Sequence, residues 1–133
     1  MANRGVFFIL LCTALLMPAP LLDHHSFAVH FDPDKQVSIT GVVQEFKFVN
    51  PHGVVFVEVT DAAGEKAQWM CETNSPSLLR RRGWTKDSLK AGDAVTITGW
   101  PARDGSNFMR LLKVVFADGR ELGVGIPATP SDK

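Results

Sequence analysis

The sequence predicts an all-β fold: five antiparallel strands closed into a small barrel, with one short helix between the third and fourth. Three observations lead there. Runs rich in β-branched and aromatic residues recur between turns bearing Gly, Pro, Asn and Asp. The first run is long and carries Gly41 where its apolar phase slips, as a bulged or sharply bent strand does. A single helix signal falls between the third run and the fourth.

Residues 1–22 stand apart from that domain. Arg4 supplies a positive start, residues 6–17 form an apolar run broken only by Cys12 and Thr13, and Pro18, Ala19 and Pro20 interrupt it. This is a secretory signal pattern, too short to span a bilayer as a helix. Small residues flank two cut positions, after Ala14 and after Ala28, and a cut before His24 would follow the poorly suited Asp23, so the cleavage point stays open. A lipoprotein reading fails because Leu11 precedes Cys12 where a small residue is needed. The expectation is a periplasmic or secreted protein with no membrane span once the signal is removed. It divides into a domain with an N-terminal arm at 23–125 and a frayed tail at 126–133.

Within the domain, 24–34 is polar, histidine-rich and irregular, ending in Asp32-Pro33-Asp34. Strand one covers 37–49; Val37, Ile39 and Gly41 share one face, then Val42, Phe46 and Phe48 form the apolar set, so the face switches near Gly41-Val42-Val43. Such a long bent strand can pair with two neighbours in a five-stranded barrel. Asn50-Pro51-His52-Gly53 reads as a type I turn with proline second and glycine fourth. Strand two is 54–60, and the loop holding Gly64 leads to strand three at 67–72. There Ala67, Trp69 and Cys71 face one way, and Gln68, Met70 and Glu72 the other.

Asn74 or Ser75 can cap a helix, Pro76 suits its first position, and Leu78-Leu79 give it an apolar patch. Arg80, Arg81 and Arg82 complement the last turn, and Gly83 ends it. Strand four, 94–100, alternates cleanly; strand five is 108–116, and Asp118-Gly119 turns into a short edge near Leu122. The order of three strands, helix and two strands is that of the OB fold, with an open β-sandwich as the alternative.

The chain has 14 basic and 14 acidic residues and no net charge, which disfavours a polyanion such as nucleic acid as partner. Strands two and three carry Glu58 and Glu72 as their only charges and no basic-aromatic interleaving, which argues the same way. Of the two cysteines only Cys71 survives signal removal, so no internal disulfide forms, and the residue reads as a buried small hydrophobe. With no glycine-rich phosphate loop and no nucleophile elbow, catalysis is disfavoured.

The remaining chemistry sits in histidines and in one basic-aromatic cluster. In a three-strand meander the first loop and the exit of the third strand share an end. His52 is therefore expected near Cys71, Glu72 and Asn74, and a rim of Asn50, His52, Glu72, Arg82 and Trp84 is the candidate ligand site. An arm carrying His24 and His25 could reach His52, giving a candidate copper or zinc site of His24, His25, His52 and Glu72. The bland account makes the arm a solvated segment and the arginines a helix cap.

The stretches His24-His25-Ser26-Phe27, Phe31-Asp32, Asn50-Pro51-His52, Glu72, Arg82-Gly83-Trp84 and Gly92-Asp93 resemble a family of small exported bacterial proteins catalogued as a domain of unknown function. The resemblance runs from about His24 to Leu122 and implies periplasmic export in Gram-negative bacteria, with no established activity. Family members carry a small residue before the His-His pair, whereas Leu22-Asp23 stands here, which weighs against chelation by a freed His24 amine. The expectation is a non-enzymatic periplasmic module that binds a small ligand or a periplasmic protein. The alternative is a copper- or zinc-binding protein.

Overall fold

The computed structural model describes residues 27–124 of the chain; the segment expected to be a signal peptide, His24, His25 and the expected tail at 126–133 lie outside the described residues. In chain order the elements are α1 (Phe27–His30), β1 (Val37–Lys47), β2 (Val54–Thr60), β3 (Lys66–Glu72), α2 (Pro76–Arg81), β4 (Ala94–Pro101), β5 (Phe108–Phe116) and β6 (Glu121–Gly123). Neighbours follow the order β3-β2-β1-β4-β5-β6, and a further pairing of β3 with β5 closes the first five into a barrel. That closure removes the open sandwich from consideration.

The barrel is mixed rather than antiparallel throughout, which corrects the sequence expectation. Four junctions are antiparallel, but β3 and β5 run parallel, with Met70, Cys71 and Glu72 opposite Phe108, Met109 and Arg110. The reason is parity. A ring with an odd number of strands cannot alternate direction all the way round, so at least one seam must be parallel. β6 is an added edge strand that pairs with β5.

β1 serves two partners, as expected: Val37–Val42 pairs with β4 and Val42–Lys47 with β2. The slip in its phase lies later than the sequence suggested. Val43 stays inward with Ile39, Val42 points out at 40% exposure, and the register shifts between Val43 and Glu45. The signal near Gly41 has a different cause. A Cβ there would stand 2.2 Å from the Glu58 carbonyl oxygen, so glycine admits the close approach of β2. Gly92 and Asp93 hold the slip in place, Gly92 N–H donating to Val43 O (2.8 Å) and Val43 N–H to Asp93 O (2.9 Å).

Inward residues from every barrel strand fill the interior, among them Val43, Val55, Val57, Cys71, Ile97, Leu111 and Val114, all fully buried. Each large one stabilises the fold by roughly 1.5–3 kcal/mol over its exposed state. α2 begins after Ser75, whose extended backbone (φ −62°, ψ 153°) and hydroxyl cap Leu78 N–H at 3.5 Å. It stops at Gly83, whose φ of +82° favours glycine. Six residues cannot hold a helix by themselves; Pro76 and the fully buried Leu79 anchor it, while Leu78 stays 43% exposed. The arm before β1 is also pinned. Phe31 is buried against Phe108 (ring centroids 4.8 Å apart), and Asp32 N–H donates to Pro101 O at 3.0 Å.

Candidate ligand-binding rim

Residues 50–53 form a bend in which the expected type I hydrogen bond is absent. The Asn50–Pro51 peptide is cis, and Gly53 N–H donates to Asn74 O at 3.0 Å instead of back to Asn50. Gly53 O in turn accepts from Thr73 N–H (2.7 Å) and from the Thr73 hydroxyl (2.9 Å). The β1–β2 connection is thus sewn to the exit of β3 by main-chain bonds. A Cβ on Gly53 would lie 2.6 Å from Thr73 Oγ1, so glycine permits this approach. Thr73 is fully buried, and among the described residues no buried side-chain polar atom lacks a partner.

That docking brings His52 and Glu72 together, with His52 Nδ1 2.9 Å from Glu72 Oε1. Both side chains are partly exposed, at 34% and 20%. The consecutive β1–β2–β3 meander produces this proximity, as the sequence indicated. Asn50 lies on the same bend and is exposed.

Arg110 completes the cluster, and the sequence reading missed it. It faces Glu72 across the parallel β3–β5 seam and is only 5% exposed. Its guanidinium donates to the Glu72 main-chain oxygen (3.3 Å) and to Asn74 Oδ1. Burial pushes its pKa down to about 10, and the negative charge of Glu72 opposes that shift. Asn74 Nδ2 passes the chain of contacts on to Val124 O at 2.7 Å. The sequence signal was a lone charge inside the apolar run Phe108-Met109-Arg110-Leu111-Leu112. It becomes readable once parity requires a parallel seam.

The other expected rim residues play different parts. Trp84 is 1% exposed and donates its indole N–H to Gly123 O at 3.0 Å, so its body belongs to the core. Arg82 is the half-buried C-cap of α2, its own N–H donating to Leu79 O at 2.9 Å. Arg80 lies over the Phe48 ring, 5.0 Å from its centroid. Cys71 is fully buried on the inward face, and burial pushes its thiol up to about 12. Among the described residues no group of three metal-ligating side chains assembles; His52 and Glu72 are the part of the expected metal set that is described, and His24 and His25 fall outside.

Fold and site together define a small closed β-barrel protein with a histidine–carboxylate–arginine cluster at one pole. A family model described as a family of unknown function, DUF6152, matches residues 12–109, well over half of the chain, and the chain belongs to that family. The matched span holds Asn50, His52, Glu72, Arg82 and Trp84 and stops one residue short of Arg110. No curated protein and no solved structure matches the chain.

Proposed function

We propose that this chain is an exported, periplasmic, non-enzymatic binding module on an OB-like barrel. It takes a small ligand or a periplasmic protein at the pole where Asn50, His52 and Glu72 meet. The OB-like reading is supported by the strand order, the β3–β5 closure and the position of α2 between β3 and β4. One observation carries the binding site: a partly exposed His52–Glu72 pair rests on a buried arginine, with main-chain bonds fixing both of its loops. A polar edge positioned in this way can meet a ligand with little ordering cost.

A histidine held by a carboxylate is also part of a nucleophile-activating triad. The adjacent candidates do not complete one. Cys71 faces the interior with a raised pKa, and the Thr73 hydroxyl is buried and donates to Gly53 O. This supports binding over turnover.

The test is photo-crosslinking in the exported protein, with a benzophenone side chain placed at Asn50 or, as control, at Ala63 in the exposed β2–β3 loop at the other end of β2. A discrete adduct from position 50 and none from position 63 is expected. Equal labelling from both positions contradicts the reading.

The His52–Glu72 contact favours a second reading, copper or zinc binding. A carboxylate on Nδ1 orients an imidazole for metal ligation through Nε2, which puts Glu72 behind the histidine instead of on the metal. Calorimetric titration with Cu(II) and Zn(II) near neutral pH, repeated with His52→Ala, tests it. Micromolar binding lost in the variant supports metal; no binding removes it.

A further inference from the structure

A second concave surface lies beside the rim and is not explained by it. Phe48, Arg80, Trp84, Thr85 and Lys86 line a cleft of about 370 Å³, within the size range of small-molecule sites. Its apolar side is part of a fixed aromatic group. Phe46 stands edge-on to Phe48 and to Trp84, with ring centroids 5.7 and 5.8 Å apart, and the Trp84 N–H is committed to Gly123 O. Its polar side is held as well, Thr85 N–H donating to Ser88 Oγ at 2.8 Å and Thr85 Oγ1 accepting from Asp87 N–H at 3.2 Å.

The lining holds two cations and no carboxylate. Among the described residues neither Arg80 nor Lys86 makes an ion pair. Around them, residues 80–90 carry five cations (Arg80, Arg81, Arg82, Lys86, Lys90) against Asp87 alone, in a chain with no net charge. Capping of α2 accounts for the three arginines, but Lys86 and Lys90 lie beyond the helix. It also gives no reason for a guanidinium to lie over an aromatic ring at the edge of a cleft.

From this combination we infer that the cleft binds a small aromatic anion, a flat ring bearing one carboxylate, sulfonate or phosphate group. The ring packs against the half-buried Phe48, which Phe46 and the buried Trp84 hold in place, and the anion is held by charge-assisted hydrogen bonds from Arg80 and Lys86.

Two fluorescent probes with similar ring systems test the charge requirement: anionic anilinonaphthalene sulfonate and neutral N-phenylnaphthylamine. Each is titrated into the wild-type protein, Arg80→Gln/Lys86→Gln and His52→Ala, with urea unfolding curves confirming that all three are fully folded in the absence of urea. Both replaced cations are exposed, so the fold should survive their loss. The expected result is saturable binding of the anion to wild type, weakened about tenfold or more in the double variant and unchanged in His52→Ala. The neutral probe should bind wild type about tenfold or more weakly than the anion does. Equal anion binding to wild type and double variant, equal affinity for the two probes, or no anion binding up to about 1 mM would each overturn the inference. Loss in His52→Ala would overturn the separateness of the cleft from the rim, whereas failure of the cleft leaves the crosslinking at position 50 unaffected.

Discussion

Replacing Glu72 with glutamine keeps the side chain's size but removes the charge that offsets the burial of Arg110. Loss of one partner from a fully buried ion pair typically costs about 3–5 kcal/mol. Two features reduce that here. Arg110 keeps its bonds to the Glu72 main-chain oxygen and to Asn74 Oδ1, and the Glu72 side chain is 20% exposed, so water screens part of the interaction. The expected cost is therefore about 1–3 kcal/mol, or a fall in Tm of roughly 5–15 °C for a domain of this size. Urea unfolding followed by tryptophan emission reads it directly, with an unchanged m-value expected. Adding Arg110→Met should recover part of the loss, because the unpaired charge then disappears. His52→Ala alone should cost about 1 kcal/mol or less, since that pair is partly exposed. A Glu72→Gln variant within about 0.5 kcal/mol of wild type would refute the view that Glu72 sustains Arg110.

The Cys71 thiol, buried and pushed up to about 12, should resist aromatic disulfide reagents in native buffer and react fully once urea unfolds the protein; prompt stoichiometric labelling of the native protein would contradict its placement. Gly99→Ala should destabilise by about 3 kcal/mol or more, because its Cβ would sit 2.2 Å from the Arg110 main-chain oxygen and β4 would have to part from β5. A change in urea midpoint equivalent to less than about 1 kcal/mol would mean the strands do not approach so closely. Asp118 is held below the ordinary aspartate value of 3.8 by hydrogen bonds from the Arg120 side chain and then its backbone N–H. A carboxylate lowered by folding stabilises above its unfolded pKa, and that contribution fades as pH falls through the folded value. Asp118→Asn should therefore shrink the drop in urea midpoint between about pH 5 and about pH 2, and an unaltered drop would count against the contact.

Much of the fold was legible because each strand is bounded by residues that break strands for separate reasons. β2 runs from Val54 to Thr60 and β5 from Phe108 to Phe116, the ranges expected between their turns, and α2 starts at Pro76 behind its Ser75 cap. The approach of His52 to Glu72 was legible too, since a meander has only one arrangement of its ends. Features set by three-dimensional closure were not. The parallel seam depends on counting the strands of a closed ring, and Arg110 could not be assigned to the rim without it. The 50–53 bend follows hydrogen bonds to Thr73 and Asn74, about twenty residues away, so local turn chemistry could not specify it. Trp84 looked like a rim residue because Arg82-Gly83-Trp84 is conspicuous in sequence, but the partner that draws its indole inward is Gly123 on β6. The phase slip in β1 belongs to Gln44 and Glu45, which look unremarkable beside the glycine at 41.

The central claim is that the β1–β2 connection is docked on the exit of β3, and amide hydrogen exchange tests it most directly. Gly53 and Thr73, whose N–H groups donate to Asn74 O and Gly53 O, should exchange with protection approaching that of the barrel strands. Exchange of either amide at the rate of an unstructured chain would mean that the two segments do not meet, and that His52 and Glu72 share no site.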